Sequence, residues 1–237
     1  MKSLLSVLHF DRKDTDIYFI LISAPLLLTL YWYYGSAQKF LQYFPSWSNL
    51  PDGELYAYIA QFLSFFILVF LIPLLYIRFK MKKPLKEFGF GLGDKRYGLI
   101  FTIVVLIVLV APLIYLAAGM PDIQAEYPLA KILHQRHDLI IWYEIGYIIF
   151  YYIAWEFFFR GFLLFGLKDK FGAMNAILIQ TISSCLIHLG KPDGEILGSI
   201  VVGIIFGAIA LRTRSFWYVF IIHAGIGVLT DLFVIFR

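Results

Sequence analysis

Three uncharged runs decide most of what this chain can become. Between Asp16 and Lys39 there are 22 consecutive residues without a charge. At about 1.5 Å per residue that is enough to cross a hydrocarbon layer of about 30 Å. A second run lies between Glu54 and Arg78, and a third follows Arg96 and continues to Met120. Such continuous apolar runs lack the alternation of a membrane barrel. Composition removes the soluble alternative, because 61% of the 237 residues are hydrophobic and 15% charged, against about 45–50% and about 25% in soluble domains. The expected fold class is all-α: a polytopic transmembrane helix bundle of about seven helices.

The second half is less pure. A fourth helix is expected over 140–166, interrupted by Glu144, Glu156 and Arg160, and a fifth over 171–189, ending at His188. A sixth covers 195–211, and a seventh runs over 215–236 with His223 and Asp231. The last three are short or polar for simple spans and need tilt, neighbours or a wet cavity. With the N-terminus in the cytoplasm, alternation puts fourteen basic residues inside. These are Lys2, Arg12, Lys13, seven between Arg78 and Arg96, Lys168, Lys170, Arg212 and Arg214. Five fall outside: Lys39, Lys131, Arg136, Lys191 and Arg237. Positive charge collects on the cytoplasmic side, which selects this orientation. The organisation that follows is a two-helix anchor region over 1–79, a basic cytoplasmic loop over 80–98 and a helical core over 99–237.

Several classes drop out. The single Cys185 permits neither an intrachain disulfide nor a thiolate cluster. The net charge of +4 sits beside apolar segments, so it speaks for topology and not for nucleic acid. The first apolar run lacks a small-x-small exit and is expected to remain as an anchor. The basic 78–96 loop is an ordinary positive-inside loop or a site for anionic lipid headgroups. Its Gly89, Gly91 and Gly93 follow no strand, which speaks against a nucleotide fingerprint. Gly203 and Gly207, four apart, are expected to let the sixth helix pack closely, within the monomer rather than at a dimer seam. Trp32, Tyr33, Tyr34, Trp47, Trp142, Tyr143 and Trp217 fall near helix ends, where aromatic rings settle at the membrane interface.

Ionisable residues inside a membrane are expensive and face a bundle interior or a water-filled cavity. Glu156 and Arg160 are four apart and share a helix face. His223 and Asp231, eight apart, also share one. Glu144 and Asp231 lie nearer the membrane edges and are expected to face water. A carboxylate beside an imidazole activates water as a general base, a second imidazole donates to an oxyanion, and an arginine keeps the carboxylate in place. That is a hydrolase. Two histidines and a glutamate also supply three zinc ligands, although no HExxH supports this locally. A purely structural Glu156–Arg160 pair stays open as well.

Three stretches together carry a family resemblance: W155EFFFRGFLLFGL167, A176ILIQTISSCLIHL189 and R214SFWYVFIIHAGIG227. Over about residues 80–235 the chain resembles the CAAX-protease and bacteriocin-processing family of Abi-like intramembrane endopeptidases. That family's first motif is two adjacent glutamates with an arginine four residues beyond the second. Glu156 and Arg160 match, and Trp155 stands at the first glutamate. The second motif, an aromatic residue then histidine four on, is met by His188 with Ser184 at the aromatic position. The third, histidine then asparagine four on, is met by His223 with Gly227 at the asparagine.

The resemblance implies a catalytic set of Glu156, Arg160, His188 and His223, acting without metal or cofactor. Glu156 is then the surviving carboxylate, oriented by Arg160; His188 positions or activates water, and His223 faces the oxyanion. It also implies peptide or membrane-protein substrates, lipidated ones included, and a bacterial or archaeal plasma membrane. Tryptophan carries no proton acceptor and glycine no side-chain donor, so a pseudoprotease that binds without cleaving is the first alternative. A transporter or immunity-type membrane protein is the second. Straight alternating rods set Glu156 in the cytoplasmic half and His188 near the outer end, whereas the resemblance requires them to converge.

Overall fold

The computed structural model describes residues 10–237, so Lys2 lies outside the described residues. All regular structure among them is helical. The nine helices are α1 (Arg12–Tyr34), α2 (Ala37–Tyr43), α3 (Gly53–Met81), α4 (Lys95–Ala117), α5 (Pro121–Glu126), α6 (His137–Phe171), α7 (Ala173–Leu186), α8 (Asp193–Thr213) and α9 (Trp217–Phe236). Six of them are long and apolar enough to span a membrane, and α7 is the shorter seventh. The all-helical, polytopic expectation is met, and the chain is an integral membrane protein.

Burial ranks the helices. Within its apolar window α6 is 67% buried, whereas α4 is 11% buried. The centre of the bundle is α6, whose Phe157, Phe158, Phe159 and Phe162 are fully buried. They pack in one cluster with Ile20 of α1, Val69 of α3, Ala176 of α7, Phe206 of α8 and Ile222 of α9. In contrast, Ile103, Ile107, Val108 and Leu116 of α4 are more than half exposed. A continuous apolar face of that kind is stable against lipid and not against water.

Contacts between helix ends sort the charges onto two faces. At one end Lys170 pairs with Asp14 at 2.7 Å and Arg212 with Asp94 at 2.9 Å. There the Tyr97 backbone N–H, and after it Arg212, hold the Asp94 carboxyl below the usual carboxylate range. At the other end Arg136 pairs with Asp52 at 2.8 Å and Lys191 with Glu126 at 2.5 Å. The basic 78–96 loop lies at the first end, laid against the α8–α9 turn: the Asp94 N–H donates to Thr213 O at 3.0 Å, and Tyr218 Oη to Leu92 O at 2.6 Å.

Gly93 makes that seating work, with φ +47 and the Thr213 carbonyl where a Cβ would stand. Gly93→Ala combines left-handed strain with a backbone clash, and is expected to destabilise by about 1–3 kcal/mol. Gly194→Ala, with nothing within 4 Å, is expected to leave the melting temperature in detergent unchanged. Equal melting temperatures for the two variants contradict this account of the loop.

The α6–α7 hairpin corrects the straight-rod picture. The helix read as ending at 166 continues to Phe171, and the chain reverses at Gly172 with φ +81. Glu156 then lies fifteen residues before Phe171, the last residue of α6, and His188 fifteen residues after Ala173, the first of α7. Both are about 22 Å from the reversal in an antiparallel pair. Gly203 and Gly207 of α8 take α7 closely: a Cβ at 203 would press on Thr181, and one at 207 on Ile177 and Gln180. Gln180 Nε2 donates to Gly203 O at 2.9 Å. The glycine pair therefore serves packing inside the monomer.

Candidate active site

The site starts on α6. Four-residue spacing puts Glu156 and Arg160 on one face, and Arg160 sits in a widened π turn over Phe157–Leu163, a distortion common at functional positions. Glu156 is fully buried and Arg160 is 2% exposed. Arg160 Nη1 donates to Glu156 Oε1 at 3.1 Å, and the guanidinium lies over the Phe206 ring, 5.5 Å from its centroid. Away from water such a pair is attracted strongly, and losing either member strands the other.

From α9, His223 Nδ1 reaches the same Glu156 Oε1 at 2.6 Å. A carboxylate accepts, so Nδ1 carries the proton and Nε2 is the ring nitrogen left for a ligand. Glu156 Oε2 and Arg160 Nε have no hydrogen-bond partner among the described residues. Glu156 does not line the adjoining cavity, whereas Arg160 and His223 do. The carboxylate thus touches the cavity only through Arg160 and His223.

His188 follows the end of α7. Its Nδ1 lies 2.6 Å from Ser184 O, one of the carbonyls that a helix C-terminus leaves without an intrahelical partner. A carbonyl only accepts, so Nδ1 donates and Nε2 again faces outward. Trp155, 3% exposed, stands edge-on to both imidazoles, 5.1 Å from His188 and 5.7 Å from His223 between ring centroids. Its indole is the wall on which the two histidines converge.

Gly227 sits one turn beyond His223, and a Cβ there would collide with the Tyr152 hydroxyl. The phenol of α6 thus fills the space of a side chain at 227 and brings an O–H donor beside His223, whose ring centroid is 4.9 Å from that of Tyr152. Tyr152, Trp155, Arg160, His188, His223 and Gly227 line one cavity of about 860 Å³ with Tyr127, Tyr147, Tyr151 and Glu195. That volume lies in the range of cavities that enclose a ligand.

All four sequence-predicted residues therefore gather at one place: Glu156, Arg160 and His223 by direct contact, His188 across Trp155. Glu144 and Asp231 do not join them. Expected to face water, they are instead 7% and 0% exposed, and their two carboxyl groups lie against each other with no other donor reaching them among the described residues. Tyr143, expected at the interface, is also fully buried, with its ring against Phe62 and Tyr147. The α6 helix enters the bundle further than its aromatic start suggests. Among the described residues, no group of three or more His, Cys, Asp or Glu side chains is arranged to hold a metal ion. Sequence reasoning missed Tyr152, hidden among many aromatics, and Glu195, which stood only as the first residue of the expected sixth helix. The reversal signalled by Gly190, Pro192 and Gly194 was the clue that Glu195 returns toward His188.

A polytopic helical membrane protein with a buried carboxylate–guanidinium–imidazole centre on an aromatic cavity is the class that fold and site define. Residues 137–229 match the family model described as Rce1-like: Type II CAAX prenyl endopeptidase Rce1-like. The matched stretch contains every residue of the centre, bears out the resemblance read from the sequence, and supports an intramembrane-endopeptidase-like fold for that part of the chain. No curated protein and no solved structure matches the chain.

Proposed function

We propose that the chain is an intramembrane endopeptidase that hydrolyses a peptide bond in membrane-associated or prenylated protein substrates. The observation that carries this reading is the convergence of His188 and His223 on one cavity, each with Nδ1 engaged and Nε2 free. A water donating to His188 Nε2 attacks the scissile carbonyl, and the Tyr152 hydroxyl donates to the oxygen as it gains charge, joined by His223 as the imidazolium, with a second proton on Nε2 and the Glu156 carboxylate balancing its charge. Glu156 and Arg160 are positioning residues that hold the His223 imidazole. The basic end of the bundle faces the cytoplasm with the N-terminus, and the 78–96 loop lies against anionic headgroups.

The test compares new protein termini in membranes carrying wild type, His188→Ala or no copy. Termini that appear only with wild type support hydrolysis and report its specificity. Identical profiles, with expression verified, favour a protein that binds peptide without cleaving it. One feature favours that second reading: the Trp155 indole, which accepts no proton, stands beside both imidazoles.

A further inference from the structure

From α8, a carboxylate reaches toward His188 in the same cavity. Glu195 Oε1 lies 3.9 Å from His188 Nε2. That is too long for a direct hydrogen bond, and it is the separation at which one water fits between two polar groups. Glu195 is not free to swing. Its other oxygen, Oε2, accepts from the Tyr127 hydroxyl at 2.8 Å, so Oε1 is the atom presented to the imidazole. The ring is fixed too, because its Nδ1 is committed to the Ser184 carbonyl at 2.6 Å. Both facing atoms are acceptors, and each is held from behind by a separate hydrogen bond. Glu195 and His188 both line the 860 Å³ cavity.

Two acceptors at this spacing take the two hydrogens of a single water and leave its oxygen lone pairs pointing into the cavity. We propose that Glu195 is the catalytic carboxylate of this site, holding the attacking water with His188 and taking its proton. The proposal rests on the hydrolytic reading above.

In the step, the water oxygen bonds to the scissile carbonyl carbon while one O–H bond breaks, and its proton passes to Glu195 Oε1. The carbonyl π electrons move to the oxygen facing His223. Collapse of the tetrahedral species breaks the C–N bond, and the proton on Glu195 goes to the leaving nitrogen. The products are a carboxylic acid and an amine, and the carboxylate is restored. Tyr127 is a positioning residue in this scheme. The other titratable groups around Glu195 are Lys191 and Glu126 near the Lys191–Glu126 ion pair, and His223 from α9.

The experiment uses the full chain in membranes and a farnesylated peptide reporter ending in Cys-aliphatic-aliphatic-X, with kcat and the pH profile of kcat/KM as readouts. Glu195→Gln keeps the shape and an oxygen for Tyr127 but is a far weaker base. Its kcat is expected to fall about 10²–10⁴-fold, with the acid limb of the profile lost and the melting temperature near wild type. Glu195→Asp, with the charge on a shorter arm, is expected to keep the acid limb and part of the activity. If wild type cleaves, His188→Ala does not, and Glu195→Gln stays within about threefold of wild type, the proposal is overturned while the hydrolytic reading stands. Should Glu195→Gln fold poorly, equal activity per folded molecule for the Asp and Gln variants overturns it as well. If wild type neither cleaves the reporter nor generates new termini, both fall together.

Discussion

Arg160→Met is expected to lower stability more than any other single change at the site, by about 3–5 kcal/mol. The arginine is 2% exposed and donates to Glu156, itself fully buried. Methionine fills much of the volume, so packing loss is minor and the penalty comes from a carboxylate left out of water with only His223 on it. The diagnostic is the double variant Glu156→Gln, Arg160→Met, in which no ionised carboxylate is stranded. Melting in detergent is expected to recover a large part of the loss, because breaking a buried pair harms more than replacing both members. Additive losses would mean that packing against Phe159 and Phe206, and not charge, explains the arginine.

The second large effect follows from the proposed hydrolysis. His223→Ala is expected to reduce kcat on the farnesylated reporter by about 10²–10³-fold with KM little changed, the signature of an interaction made mainly in the transition state. A ground-state binding role instead raises KM. A structural role lowers the folded yield but leaves kcat per folded molecule intact. Glu156→Gln is expected to reproduce part of the defect, since the carboxylate 2.6 Å from Nδ1 sets the ring's tautomer and angle. It does not reach the cavity itself.

Much of this was legible before any coordinates. Uncharged runs longer than a bilayer announce themselves in any window, and an i,i+4 Glu–Arg pair in an apolar helix marks a buried ionic contact, structural or functional. What stayed hidden has a physical reason in each case. The depth of His188 depends on where α6 ends, and the polar run at Lys168–Lys170 looks like a loop although it continues the helix to Phe171. Glu195 lies only seven residues after His188, yet meets it because the chain reverses between them, and no periodicity encodes that. Glu144 and Asp231 look like interface residues by position along the chain. Their burial follows from α6 being the central helix, with Asp231 of α9 packed against Glu144, a property of the assembled bundle.

The Tyr152 hydroxyl standing over Gly227 also shapes how this sequence can change. An asparagine introduced at 227 meets the phenol before it meets any substrate, so alone it is an overpacked and poorly folded variant. Shrinking Tyr152 first opens a hole beside His223 and removes a donor without supplying a new one. Each single step leads downhill, and only the paired exchange arrives at a filled site. Positions 152 and 227 therefore behave as one hereditary unit split across two helices, and a mutational library that varies them singly will report both as immutable.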